Sequence, residues 1–161
     1  TPRPTRRAGS SPAGPTPAAT SCAGKWAAPA APTATDLEVE LGTEVMHLER
    51  VLLADGERVG LESTYLPLHR FAALRGSYDP TTSLYAAIRA TGVELAGARE
   101  RIETVLAAPR EAGLLECTTA LPMLLLHRRS VDADGAPVER VRSLYRGDRI
   151  AFEARLSPEP A

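Results

Sequence analysis

The sequence predicts an α+β domain in which an antiparallel β-sheet is flanked by short helices. Two hairpin signals carry that expectation, together with several short, capped helical stretches between them. The first signal runs from Val45 to Pro67, VMHLERVLLADGERVGLESTYLP, where two runs rich in apolar and β-branched residues flank Ala54-Asp55-Gly56. Asp-Gly suits a tight hairpin, because Gly accepts positive φ freely and Asp tolerates it. The pattern then returns. Leu48-Glu49-Arg50, Ala54-Asp55-Gly56 and Val59 are echoed by Leu126-His127-Arg128, Ala133-Asp134-Gly135 and Val138. A repeated hairpin suggests a sheet with two related halves.

In chain order, residues 1–35 have the texture of a linker. Half of the 14 prolines lie there, Ala, Ser, Thr and Gly supply most of the rest, and no acidic residue precedes Asp36. Such a stretch buries too little apolar surface to offset its chain entropy, so disorder or loose docking is expected, with Trp26, Ala30 and Ala31 as candidates for an added strand. Its dispersed cations, Arg3, Arg6, Arg7 and Lys25, also admit a basic arm that touches DNA or membrane. The folded domain is expected over 36–157, with 158–161 as a tail. Asp36 to Leu41 reads as a helical turn. In the first strand Met46, Leu48, Arg50 and Leu52 share one face by period two, so Arg50 is a cation among apolar neighbours. Glu62 shares a side with Gly60 and Thr64 on the second strand. Leu68 to Leu74 reads as a short helix ended by Gly76. Thr81-Thr82-Ser83 caps a helix over Leu84 to Ala90 that Gly92 stops. Val93 to Leu106 reads as a long strand, with helix as the alternative, and Pro109 to Leu115 as a short helix. Leu121 to Val131 and Val138 to Tyr145 form the second hairpin. Ile150 to Leu156 alternates and reads as a final strand.

Composition sets the bounds. The chain has 161 residues, 43% of them hydrophobic, enough for one core. A net charge of −1 gives the chain as a whole no electrostatic case for nucleic acid. Cys22 and Cys117 lie far apart, implying no disulfide framework and fitting a reducing cytoplasm. No apolar run reaches membrane-spanning length, and the N-terminus lacks the apolar core of a signal peptide. The missing initiator Met hints at a fragment. Catalytic motifs are mostly absent: Gly24-Lys25 is not followed by the hydroxyl residue a phosphate loop needs, and there is no Gly-x-Ser-x-Gly. His47, His69 and His127 show no metal-ligand spacing, and neither Asp-Gly turn has the alternating oxygens of a calcium loop. No metal or cofactor is expected.

What remains is a set of polar residues on strand and helix-start positions: Arg50, Glu62, Ser83, Tyr85, Glu139, Ser143 and Tyr145. An arginine near a helix start would favour an anion, and the two glutamates would accept from hydroxyl or amine groups of the same guest. The same positions admit a plainer reading. Arg50 and Glu62 lie equally far from the turn and could pair with each other, Ser83 could be only a cap, and Tyr145 only core.

Several blocks resemble the UTRA domain, the effector-binding part of GntR-type transcriptional regulators of the HutC branch. They are Leu48 to Gly56 with Leu61-Glu62 and Tyr65-Leu66-Pro67; Ser83-Leu84-Tyr85; Leu121 to Leu124; and Val138-Glu139, Arg142-Ser143 and Tyr145 to Arg149 with Phe152. The resemblance covers roughly Asp36 to Leu156. It implies a chorismate lyase-like fold and a cytoplasmic, dimeric, repressor-type sensor. A small metabolite would control the DNA affinity of a separate winged helix-turn-helix, which has no counterpart in this chain. It also implies that Arg50 matches the first Arg of a phosphate-holding Arg-x-Arg, and that Ser83 and Tyr85 match its Ser-x-Tyr. Glu62, Glu139 and Tyr145 match further ligand-facing positions. Leu52 stands where the second Arg would be, which puts a sugar phosphate in doubt and leaves a monoanionic or less charged effector open; the partner expected is a small anionic metabolite, a sugar phosphate or an organic acid. The alternatives are a small-molecule lyase on the same fold and a dimerisation module whose pocket has decayed.

Overall fold

The computed structural model describes residues 18–79 and 82–153. Six strands form one antiparallel sheet in the order β1-β2-β3-β6-β5-β4. They are β1 (Ala18–Ala27), β2 (Val45–Ala54), β3 (Glu57–Pro67), β4 (Gly97–Leu106), β5 (Pro122–Val131) and β6 (Pro137–Arg146). The helices are short: α1 (Ala31–Asp36), α2 (Leu68–Phe71) followed by a 3-10 turn at Ala72–Leu74, α3 (Leu84–Ala90) and α4 (Pro109–Leu114).

Both expected hairpins form. Asp55 and Gly56 take positive φ of 52° and 81°, closing β2 onto β3 so that Arg50 stands directly opposite Glu62. At the second turn Gly135 has φ of 81°, and the Asp132 carboxylate accepts the N–H groups of Asp134 and Ala136.

The repeat extends well beyond the hairpins. Each half runs strand, short helix, hairpin, and β3 meets β6 at the centre. Ala34 and Leu37 at α1 are buried as Ala112 and Leu115 are at α4, and each helix ends on a glutamate of positive φ, Glu38 at 54° and Glu116 at 52°. At the same spacing, Arg50 of β2 corresponds to Arg128 of β5.

The sheet separates two apolar layers. On one face Met46, Leu48 and Leu66 pack under Phe71, Leu74, Leu84 and Ile88, from α2, its 3-10 turn and α3. On the other, Val51, Leu61, Leu125 and Leu144 pack under Ala112 and Leu115 at α4. Both helices near this second face are tied to it by ion pairs, Asp36 to Arg140 and Glu111 to Arg142. Phe71 and Leu144 are fully buried.

Three differences from the sequence reading have local causes. The added strand expected at Trp26, Ala30 and Ala31 forms as β1, but it reaches back to Ala18 and stops at Ala27, leaving Ala30 and Ala31 to α1 and its cap. β1 pairs along its length with β2, and Trp26 sits opposite Met46. An edge strand is held by its backbone, so Ala- and Gly-rich sequence suffices where an apolar pattern is missing. The first helix lies at Ala31–Asp36 and not over Asp36 to Leu41. Pro32 suits its first turn, and the positive φ of Glu38 ends it. Ile150 to Glu153 form no strand. β6 already has β3 and β5 on its two edges, and the chain turns instead, with Ile150 N–H bonding the Arg146 carbonyl at 3.0 Å. Residues 1–17 of the expected linker, Thr81 of the expected cap, Ala154 to Leu156 of the expected last strand and the tail lie outside the described residues. So does the side chain of Cys22.

Candidate functional site

The face of the sheet beneath α3 carries polar side chains from five strands. Period-two alternation puts Arg50, Glu62, Ser143, Tyr145, Glu139, Arg128, Ser130 and Glu100 on that face, and strand pairing aligns them in rows. One row runs Arg50, Glu62, Ser143, and another joins Arg128 to Glu100.

A cavity of about 570 Å³ opens between this face, α3 and the start of β4. Tyr85, Glu100, Arg128, Ser130 and Glu139 line it, with Leu95, Ala96, Gly97 and Ala98. These side chains form one hydrogen-bonded chain. Arg128 Nε donates to Glu100 Oε1 at 2.5 Å and its Nη1 to the Tyr85 hydroxyl at 3.3 Å. The Tyr85 hydroxyl donates to Glu139 Oε1 at 3.1 Å, and the Ser130 hydroxyl to the same oxygen at 2.8 Å. Glu139 is 1% exposed. Both of its bonds fall on one oxygen; among the described residues Oε2 has no hydrogen-bond partner. Burial raises the Glu139 carboxyl above the usual carboxylate range and, with Glu139 nearby, raises the Tyr85 phenol. An acceptor this buried and this incompletely satisfied is costly unless a donor meets it.

The sequence-predicted residues do not all meet at one place. Tyr85 and Glu139 line the cavity. Arg50, Glu62 and Ser143 form a second cluster on the same face. Arg50 Nη2 bonds Glu62 Oε1, and the Ser143 hydroxyl lies 3.4 Å from Glu62 Oε2. The side chains of Arg50 and Glu62 are only 14% and 17% exposed, so the arginine is held in the sheet face and not in bulk solvent. Glu62 acts electrostatically on Tyr85, Glu139 and Tyr145, which links the clusters. Tyr145 packs edge-on against Phe152, its phenol raised chiefly by burial, and closes over Gly60, where a Cβ would come 2.8 Å from its ring. Ser83 is the N-cap of α3: its hydroxyl accepts the Ala86 N–H at 3.3 Å, and it does not line the cavity.

Sequence reasoning did not single out Arg128, Ser130 and Glu100, which line the cavity. The repeat could have found the first, since it sets Arg128 beside Arg50. Nothing local marks Glu100, whose neighbour across the sheet is fixed only by the β4–β5 pairing.

The chain matches the UTRA domain model over residues 17–151. It is 48% identical over 118 residues to the HTH-type transcriptional repressor PhnF of Mycolicibacterium smegmatis, covering 73% of this chain and 48% of that protein. It is 29% identical over 111 residues to the HTH-type transcriptional repressor NagR of Bacillus subtilis, covering 68% and 45%. The chain thus spans about half the length of these relatives. The crystal structure of the effector domain of PhnF from Mycobacterium smegmatis superposes with a TM-score of 0.80 at 40% identity, covering 89% of this chain and 87% of that one. The fold, the two-halved sheet and the match across most of its length agree: the chain belongs to the UTRA domain family.

Proposed function

We propose that this chain is the small-molecule-sensing and dimerisation domain of a GntR/HutC-type transcriptional regulator that works in the cytoplasm, and that it binds a small anionic metabolite without turning it over. The observation that carries the reading is Glu139, buried at the wall of a cavity with one oxygen that no group among the described residues meets. A guest with a hydroxyl or amine would satisfy that oxygen. Arg128, 34% exposed on the same cavity, is placed to meet an anionic group of the guest. The family's second strand arginine is replaced by buried Leu52, and a guanidinium from β5 on the same face offers the charge from another direction. Arg50, Glu62, Ser143 and Tyr145 would extend the site along the sheet, with Ser83 fixing the start of α3 that carries Tyr85. Relatives named as transcriptional repressors support a regulator over an enzyme. The guest would act by population shift, favouring one arrangement of a dimer and so altering the DNA affinity of a separate domain.

The test is a thermal-shift screen with phosphorylated sugars, amino sugars and organic acids, followed by calorimetry on the best compound. A compound at 100 times its Kd adds about 2.7 kcal/mol of stability, a shift of several degrees. Arg128→Ala should weaken that compound about tenfold or more, and Arg50→Ala should weaken it while leaving the domain folded. A panel with no shift, or affinities unchanged in both variants, would refute the reading.

A further inference from the structure

Among the described residues that line the main cavity, Arg128 is the one cation, and two carboxylates share the wall with it, Glu100 and Glu139. A smaller cavity of about 210 Å³ adjoins it through Tyr85 and Leu95 and adds Arg89 and Glu94, whose charges cancel. Burial keeps the Tyr85 phenol neutral by raising it. An anion that enters therefore meets a lining in which negative charge outweighs positive.

Glu100 is placed to set that balance. Strand alternation turns Arg99, Arg101 and Glu103 of β4 to the opposite face of the sheet, so Glu100 is the charge of β4 that faces the cavity. It stands directly opposite Arg128 on β5. Its Oε1 accepts from Arg128 Nε at 2.5 Å and pairs with Nη2 as well. These two nitrogens form an edge by which a guanidinium grips a carboxylate or phosphoryl group in parallel bonds. The remaining nitrogen, Nη1, is turned to the Tyr85 hydroxyl at 3.3 Å. A guest anion must take the place that Glu100 holds. The Glu100 side chain is 26% exposed, on a strand at the rim of the sheet, so solvent is open to it when it lets go. Pairs this exposed contribute little to folding, so the fold does not depend on this one.

We infer that Glu100 is the charge-selecting residue of this cavity: it holds Arg128 until a guest arrives, and it turns away guests that bring two negative charges with no cation of their own. The class admitted is a guest with one anionic group for Arg128 and an ammonium or hydroxyl group for the Glu139 oxygen. This rests on the proposed sensing role and narrows the anion that fills it. The physical reason is proportionality. The repulsion between Glu100 and a guest scales with the guest's charge, so whatever factor it costs a monoanion becomes the square of that factor for a dianion.

The experiment uses two probes that share a tetrahedral head and differ by one charge, methanesulfonate and sulfate. Each is titrated at constant ionic strength into the 161-residue chain and into Glu100→Gln, and binding is followed by amide NMR shifts. The variant should bind methanesulfonate about threefold tighter than the unmodified chain and sulfate about tenfold tighter. Glu100→Ala should behave in the same way, and Arg128→Ala added to Glu100→Gln should abolish both gains. Circular dichroism of the Glu100 variants should match the unmodified chain. No gain for sulfate, equal gains for the two probes, or gains that survive the loss of Arg128 would each overturn the assignment. Equal gains alongside a screen compound that still loses affinity in Arg128→Ala would overturn this role of Glu100 and leave the sensing site standing.

Discussion

Replacing Glu139 by Gln separates what the buried carboxylate costs the fold from what it offers a guest. The two side chains are nearly isosteric, so no cavity is created. The amide oxygen can keep the bonds from Ser130 and Tyr85, at 2.8 and 3.1 Å. What changes is the charge and the acceptor at Oε2, in a side chain 1% exposed. An unmet buried acceptor costs about 1–3 kcal/mol, and more when charged. The amide leaves its own N–H groups unmet, so only part is recovered, about 1 kcal/mol at pH 8. The pH dependence is diagnostic. The folded-state carboxyl titrates above its unfolded value, so its stabilising contribution is complete below the unfolded pKa and is lost as pH rises through the folded one. The stability difference, variant minus unmodified chain, should therefore be small near pH 4 and grow towards pH 8. Binding should move the other way. A donor of the guest that meets a carboxylate loses a charge-assisted bond of about 1.5–3 kcal/mol, roughly 10- to 150-fold in Kd. Urea denaturation at several pH values and calorimetry with the best compound from the screen measure both. A variant less stable than the parent at pH 8, or one that binds the compound equally well, refutes the assignment of Glu139.

Phe71→Ala should cost about 3–5 kcal/mol in urea denaturation, because the ring is fully buried among Met46, Leu66, Leu74 and Ile88 under the site. Gly60→Ala puts a methyl group 2.8 Å from the Tyr145 ring, which must turn away. A loss of about 1–3 kcal/mol and a changed near-ultraviolet dichroism are expected, and an unaltered spectrum would show the ring has room. His47 stacks on Tyr65 at 4.4 Å between ring centroids, and burial lowers its pKa below 6.5. The unfolded chain thus binds the proton more readily, and stability is lost as pH falls through 6.5 towards the folded value. Between pH 7.5 and 5.5 the parent should lose stability relative to His47→Phe, which keeps the stack; parallel pH curves for the two would show that the ring's burial costs nothing.

Much of this molecule could be read residue by residue. The alternation from Val45 to Pro67, the Asp-Gly turns, the Ser83 cap and the helix that starts at Pro109 all depend on stereochemistry within a few neighbours, and all form as the sequence implies. The pairing of Arg50 with Glu62 was legible too, since equal distance from a turn fixes partners across a hairpin. The candidate site was legible only in part. Tyr85 and Glu139 reach the cavity, but the arginine there is Arg128, and its partner Glu100 comes from the far rim of the sheet. Strand order decides which residues meet across β4, β5 and α3, and strand order is set by how both apolar layers close. A local sequence pattern fixes the direction in which a side chain points from its own strand. What waits on the other side, whether a cap, an ion pair or a cavity, depends on contacts between residues far apart in the chain, and only the folded arrangement supplies them.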